Sequence, residues 1–139
     1  MKKQILPFVG MLSLLLTSGS ALAQSNDLRA DIPFKFQING HVLPAGSYRI
    51  SSVGSMEQAV AVVNENTRDV QIILPHRVFA TKPATNTKLV FRAYGDRYFL
   101  SQMWVAGHET GRELPKTAVE TRVAKEQSAD QVFVAAALE

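Results

Sequence analysis

Hydrophobic and polar residues alternate with a period of two along much of the chain, and this pattern predicts β-strands. In the segment FKFQI, Phe34, Phe36 and Ile38 alternate with two polar residues. Such alternation is typical of a strand with one buried face. Pro33 cannot donate a hydrogen bond to a sheet ladder, so we predict that this strand begins at Pro33 or lies at a sheet edge.

Turn-forming residues separate this strand from the next two. Asn39 and Gly40 lie between strand-like runs and tolerate the positive φ angles of a type I′ turn. Pro44 and Gly46, in the segment LPAG, suit the second and fourth positions of a type I turn. We therefore interpret NGHVLPAG as two chain reversals rather than a binding loop, and predict a further strand over Ser47–Val53.

The same pattern predicts strands over most of the remaining chain. They cover residues 59–64, 70–79 with a bend at Pro75, 88–94, 97–105 and 131–136. The segments 53–58, 81–87 and 106–115 are predicted loops. One helix is predicted from Ala118 to about Gln127, because Thr117 and Glu120 form a Thr-x-x-Glu capping box.

The strongest predicted hairpin surrounds Gly95 and Asp96. A two-residue turn of type I′ or II′ would pair residue 94 with 97, 91 with 100, and 89 with 102. Because side chains alternate across a strand, this register defines two faces. The predicted inward face contains Leu89, Phe91, Ala93, Tyr98, Leu100 and Trp104. The opposite face contains Val90, Arg92, Tyr94, Arg97, Phe99 and Met103.

These elements predict an all-β, mainly antiparallel domain of about eight short strands with one short C-terminal helix. Turn signals every 8–12 residues are typical of a small β-sandwich or a closed barrel. The sequence leaves both architectures open. Residues 24–139 are predicted to form this single domain.

The first 23 residues have the features of a secretory signal peptide. Lys2 and Lys3 precede an apolar run over Ile5–Leu16, and Ala21 and Ala23 have the small-x-small spacing of a cleavage site. The apolar run is shorter than the ~20 residues that a membrane-spanning helix needs. We therefore predict cleavage after Ala23 and export to the periplasm or the extracellular space of a bacterium.

Charge and composition argue against several classes of partner. The 139-residue chain has 15 Lys+Arg and 12 Asp+Glu, but Lys2 and Lys3 belong to the predicted signal peptide, which leaves a net charge of +1. This is too small for a general electrostatic affinity for nucleic acid or anionic membranes. No later segment is long and apolar enough to span a membrane, and the absence of cysteine rules out disulfide and thiolate chemistry.

The sequence offers little support for metal, cofactor or catalytic chemistry. His41, His76 and His108 lack the spacing of zinc ligands, so no metal site is predicted. There is no nucleophile elbow and no glycine pattern for a nucleotide, so no cofactor is predicted either. An enzyme is therefore not favoured, although a site assembled from residues distant in sequence stays open.

Four segments resemble those of a family of small secreted bacterial proteins whose function is unknown. The segments are IPFKF, LPAGSY, YGDRYFL and GRELP, beginning at Ile32, Leu43, Tyr94 and Gly111. The resemblance spans most of the chain after residue 23. It implies export and a β-rich domain, and it implies no catalytic residue.

Two classes of function follow. The first is an exported, non-catalytic binding or envelope-associated module, whose partner would be an envelope component, a protein surface, or a small apolar molecule among residues such as Phe36, Phe91 and Trp104. Its candidate binding residues are Tyr94, Arg97, Arg112 and Glu113. The alternative is an exported hydrolase whose site combines scattered groups such as His76, His108, Glu109 and Asp96.

Overall fold

A computed structural model describes residues 27–54 and 58–139. The predicted signal peptide and part of the predicted 53–58 loop lie outside the described residues. The described chain contains eleven strands and one helix. In chain order they are β1 (Leu28–Ile32), β2 (Phe36–Ile38), β3 (His41–Leu43), β4 (Gly46–Ser52), β5 (Val60–Asn64), β6 (Val70–Ile73), β7 (His76–Phe79), β8 (Lys88–Tyr94), β9 (Arg97–Trp104), β10 (Thr110–Glu113), α1 (Ala118–Glu126) and β11 (Asp130–Leu138).

All eleven strands belong to one sheet that is curled into an open half-barrel. The main path runs β3-β2-β9-β8-β11-β1-β4-β5-β6, and a branch leads from β9 through β10 to β7. Neighbouring strands are antiparallel except β2 and β9, which are parallel. The predicted all-β class with one short helix is thus confirmed, whereas the sheet is not clearly either of the two expected architectures, a sandwich or a closed barrel.

The two predicted hairpin turns have the backbone conformations expected of them. Asn39 and Gly40 have φ angles of 52° and 82°, as a type I′ turn requires. In the second hairpin Gly95 has a φ of 61°, and Asp96 has no positive φ, which fits type II′. Both turns therefore fix the registers of their strands locally.

The segment LPAGSY owes its shape to one buried tyrosine. The hydroxyl of Tyr48 donates to the carbonyl of Pro44 at 2.5 Å and accepts from Asn64 Nδ2 at 3.1 Å. Asn64 Oδ1 in turn accepts the backbone N–H groups of Asn66 and Thr67 at 2.8 and 3.0 Å. This arrangement ties the turn before β4 to the turn after β5, so the segment is structural, as the sequence suggested.

The predicted register of the second hairpin is correct near the turn and wrong beyond Phe91. Phe91 pairs with Leu100, but Leu89 pairs with Met103 rather than with residue 102, because Ser101 is an additional residue in a β-bulge. The bulge reverses the faces for the rest of β9. Met103 therefore joins the main core, and Trp104, which was expected there, is only partly buried on the opposite face.

Aromatic rings fill the interior of the half-barrel. Phe36 packs edge-on against Tyr48 and Phe91 with centroid distances of 5.0 and 5.5 Å. Phe34 packs edge-on against Phe91 at 5.0 Å and stacks on Tyr98 at 3.9 Å. The expectation that Phe36, Phe91 and Trp104 line a ligand cavity is therefore wrong, because the two phenylalanines are buried in a packed core.

Two strands were missed, and one predicted strand divides. β1 precedes Pro33, where no strand was expected, and β10 lies in the predicted 106–115 loop. At Pro75 the chain leaves the main path, since β6 pairs with β5 while β7 pairs with β10. The bend predicted at Pro75 is thus the point at which the chain passes from β6, the last strand of the main path, to β7, the last strand of the branch.

The helix packs on the outer face of the half-barrel. Thr117 is its N-cap, and its hydroxyl accepts from the N–H of Glu120 at 3.2 Å, as the capping box predicts. Val123 is buried against Tyr94 and Phe99 of the second hairpin. The Glu120 side chain does not complete the capping box, because its carboxylate binds the sheet instead.

The helix α1 does not have the length and apolar character needed to cross a membrane, and the described residues contain no other helix.

Candidate functional site

Two rows of inward-facing side chains define a groove at one end of the half-barrel. The first row crosses β11, β1 and β4, where Leu28 lies directly opposite both Leu138 and Ile50. Leu28 and Ile50 are buried, and Leu138 at the end of β11 is 49% exposed. This row is entirely apolar and forms one wall of the groove.

The second row crosses β9, β10 and β7. Arg112 of β10 lies opposite Met103 of β9 on one side and opposite Arg77 of β7 on the other. Because directly opposite residues project from the same face of a sheet, the two arginines share the inward face with the core residue Met103. Arg77 is exposed, whereas Arg112 is partly buried, so Arg112 is the arginine of this row that is partly removed from water.

The groove between these rows has a volume of about 530 Å³. This lies within the range of about 300–1,000 Å³ that small-molecule sites occupy. Its remaining lining side chains are Ser52, Val105, His108 and Thr110, with the backbone of Gly111 between them. Among the described residues that line it, none is acidic, so they form one apolar wall and one cationic wall.

Arg112 has an incomplete set of partners. Both terminal nitrogens of its guanidinium are 3.4 Å from Ser52 Oγ, at the long limit for a hydrogen bond. Among the described residues, no carboxylate forms an ion pair with Arg112. The guanidinium therefore extends across the groove from β10 towards β4 with hydrogen-bonding capacity left over.

The outer face of the same strands explains why Arg112 is held in place. Trp104 lies over Gly111, and a Cβ added to Gly111 would be 2.7 Å from the indole ring. The indole donates to Gln102 Oε1 at 2.9 Å, and Gln102 donates to Glu113 Oε2 at 3.0 Å. This packing joins β10 to β9 from outside and positions the neighbouring Arg112 on the inside.

A second polar cluster lies under the helix, on the outer face of β8 and β9. Arg92 binds both carboxylate oxygens of Glu120, and its Nη1 donates to Ser101 Oγ at 2.6 Å. Tyr94 donates to Glu120 Oε2 at 2.9 Å. Burial raises the pKa of Tyr94 above its ordinary value of 10.0, and the hydrogen bond to Glu120 raises that pKa further.

This second cluster has no access for a ligand. Glu120 and Tyr94 are each only 2% exposed, and every polar side chain in the cluster has a partner within it. The bulge residue Ser101 supplies one of those partners. The cluster therefore attaches the helix to the sheet and has no group left to bind a ligand.

The four binding residues expected from the sequence lie in different environments. Tyr94 is buried under the helix, so the expected exposed ring is wrong. Arg97 lies at the hairpin tip with its guanidinium 5.8 Å from the Phe99 ring, and Glu113 accepts from Gln102 on the outer face. Only Arg112 lines the groove.

The residues of the alternative hydrolase site are also separated. His108 lines the groove, whereas His76, Glu109 and Asp96 do not. Asp96 precedes β9 and His108 follows it, so the whole length of that strand lies between them. Within residues 27–54 and 58–139, no group of three or more His, Asp or Glu side chains is arranged to hold a metal ion.

Sequence reasoning missed most of the groove. Leu28 and Ser52 come from strand segments that show no motif, and Met103 was assigned to the wrong face because the bulge was not recognised. The sequence does contain a signal for the bulge. Ser101 and Gln102 are two polar residues in succession, and they interrupt the alternation of apolar and polar residues in β9.

Compared with known proteins, the chain matches no family model, no curated protein and no solved structure.

Proposed function

We propose that this protein is an exported, non-catalytic binding module that holds a small apolar molecule in the groove of its half-barrel. The observation that carries the proposal is the pair of inward-facing rows, in which Leu28, Ile50 and Leu138 face Met103 across an open space of about 530 Å³. Concave, mainly apolar sites at the mouths of β-barrels are common places for small ligands.

The packing of the interior supports the location of this site. Aromatic rings of Phe34, Phe36, Phe91 and Tyr98 fill the central part of the half-barrel. Apolar surface left open to water is unfavourable by roughly 25 cal/mol per Å². Leu28 and Ile50 are already buried, so the apolar surface that a ligand would cover is mainly that of Leu138, which is 49% exposed.

Export is the second part of the proposal. It rests on the signal-peptide features of residues 1–23 and on the resemblance to small secreted bacterial proteins. The protein would then act in the periplasm or outside the cell, where an envelope component is the source of its ligand. A hydrolase is less favoured, because an active site needs converging groups and His108 is the only one of the four candidates at the groove.

The test is binding of N-phenyl-1-naphthylamine, a neutral apolar dye whose fluorescence rises on leaving water. We expect saturable binding of one dye per chain. Leu138→Gln should weaken this binding at least about tenfold, since it places an amide against the apolar wall. Leu74→Gln is the matched control, because Leu74 is a leucine that is 71% exposed and does not line the groove.

Equal affinities of the Leu138→Gln and Leu74→Gln variants would show that the dye binds elsewhere, and absence of saturable binding would overturn the proposal. Circular dichroism of both variants checks that each retains the β-rich fold.

A further inference from the structure

We infer that the groove selects a single-chain amphiphile whose anionic head group, a carboxylate or a phosphate, binds Arg112. This inference rests on the proposed function, because it assigns the chemical class of the same ligand. It depends on a different observation, which is that Arg112 in the second row of the groove contacts a neutral side chain and no carboxylate among the described residues.

Arg112 differs from three other arginines of the sheet, Arg29, Arg49 and Arg92. Arg29 and Arg49 each form ion pairs with Glu65 and Glu139, at 2.9–3.8 Å, on the exposed outer face. Arg92 is partly buried and has Glu120 as its counter-charge. Arg112 is also partly buried, but its side-chain partner is the neutral hydroxyl of Ser52.

The position of Arg112 adds to this imbalance. Arg112 and Arg77 are directly opposite each other on antiparallel strands and both line the groove. The Ser52 hydroxyl that contacts Arg112 carries no charge. An anion bound at Arg112 would supply a counter-charge, so the structure is more complementary to an anionic ligand than to a neutral one.

The geometry also places the two parts of an amphiphile. A guanidinium presents parallel N–H groups that match the oxygens of a carboxylate or phosphate. From Arg112 the groove leads across to the apolar row of Leu138, Leu28 and Ile50 on the other wall. The hydrocarbon chain of such a ligand would pack against the apolar row while its anionic head group binds the guanidinium of Arg112.

The experiment is displacement of bound N-phenyl-1-naphthylamine by decanoate and by decanol, which have the same chain length and different head groups. With the natural protein, decanoate should displace the dye at a concentration at least about tenfold lower than decanol, which is the scale of one charge-assisted hydrogen bond. Arg112→Gln should reduce this ratio to near one. Decyl phosphate, measured in parallel, distinguishes a phosphate-bearing source from a free acid.

Arg97→Gln is the matched control, because Arg97 is an exposed arginine at the hairpin tip and outside the groove. This variant should keep the preference for decanoate. If decanol displaces the dye as well as decanoate and decyl phosphate do, the anionic head group is wrong while the proposed apolar site stands. If neither dye nor decanoate binds by calorimetry, the proposed function fails and this inference fails with it.

Discussion

Arg92 and Arg112 are two partly buried arginines on opposite faces of the same sheet, and their surroundings differ. Arg92 lies on the outer face under the helix, where Glu120, Tyr94 and Ser101 satisfy the cluster from within the chain. Arg112 lies on the inner face at the groove, where Ser52 Oγ at 3.4 Å is its side-chain partner.

The difference separates an arginine that stabilises the fold from one available for a ligand. A buried charge is costly unless it is paired, so a fold normally supplies the partner itself. At Arg92 the chain does so with a buried glutamate, which also fixes the helix. Arg112 has an exposed contact with Ser52, and none of the described residues that line the same space is acidic, so a ligand would supply its counter-charge.

The largest effect is expected from breaking the paired arginine. Glu120→Gln removes the counter-charge of Arg92 while the guanidinium stays largely enclosed by the helix and the sheet. Loss of one partner of a buried ion pair costs about 3–5 kcal/mol of unfolding free energy. Urea unfolding of the variant measures this cost.

The double variant Arg92→Met with Glu120→Met is its control. Replacing both charges by apolar side chains of similar volume should recover most of the stability. A Glu120→Gln variant as stable as the natural protein would mean that this cluster does not fasten the helix.

A smaller effect is expected at Gly111, next to the unpaired arginine. Gly111→Ala places a Cβ 2.7 Å from the Trp104 ring, so the ring or β10 must move. Overpacking of this kind costs about 1–3 kcal/mol. The movement should also weaken decanoate binding, because Arg112 is the next residue on β10.

Gly111→Ala combined with Trp104→Leu tests the cause, since the smaller side chain makes room for the Cβ. Stability should then rise again relative to Gly111→Ala alone. A destabilisation that Trp104→Leu does not relieve would argue against the contact with the indole.

Tyr94 gives the smallest of the three effects and a dependence on pH. Tyr94→Phe removes the hydrogen bond to Glu120 and should cost about 1.5 kcal/mol near neutral pH. The pKa of Tyr94 is raised in the folded state by burial first and by Glu120 second, so its proton is held more tightly than in the unfolded chain. That contribution is complete below the ordinary pKa of 10.0 and is lost as the pH rises through the folded-state pKa.

Unfolding free energy measured between about pH 9 and pH 11 therefore should fall less steeply for Tyr94→Phe than for the natural protein. Parallel curves for the two proteins would contradict the raised pKa.

The sequence was most informative where structure is decided locally. The turns at Asn39-Gly40 and Gly95-Asp96 and the cap at Thr117 depend on the φ preferences and hydrogen bonds of a few adjacent residues. The strand before Pro33 and the strand at residues 110–113 depend on pairing with distant segments. LRADI before Pro33 does alternate apolar and polar residues and could have been predicted as a strand, whereas TGRE at residues 110–113 has no such alternation.

The groove was harder to predict than the fold. One additional residue at Ser101 exchanged the faces of Met103 and Trp104, because a shift of one residue moves every later side chain to the opposite face. Arg112 was named among the candidates from its loop-like motif. Its neighbours in the groove come from six strands, and their proximity follows only from the curvature of the sheet.

The central claim is that Arg92 stabilises the fold through its ion pair with Glu120, whereas Arg112 binds the head group of a ligand. The most direct test is the urea midpoint of Arg92→Gln and Arg112→Gln, each measured with and without decanoate. We expect Arg92→Gln to lose about 3 kcal/mol and still gain stability from decanoate, because ligand binding to the folded state raises its stability. We expect Arg112→Gln to change by less than about 0.5 kcal/mol without ligand and to gain little from decanoate. An Arg112→Gln variant that is destabilised as much as Arg92→Gln, or that gains as much from decanoate as the natural protein does, would contradict the account.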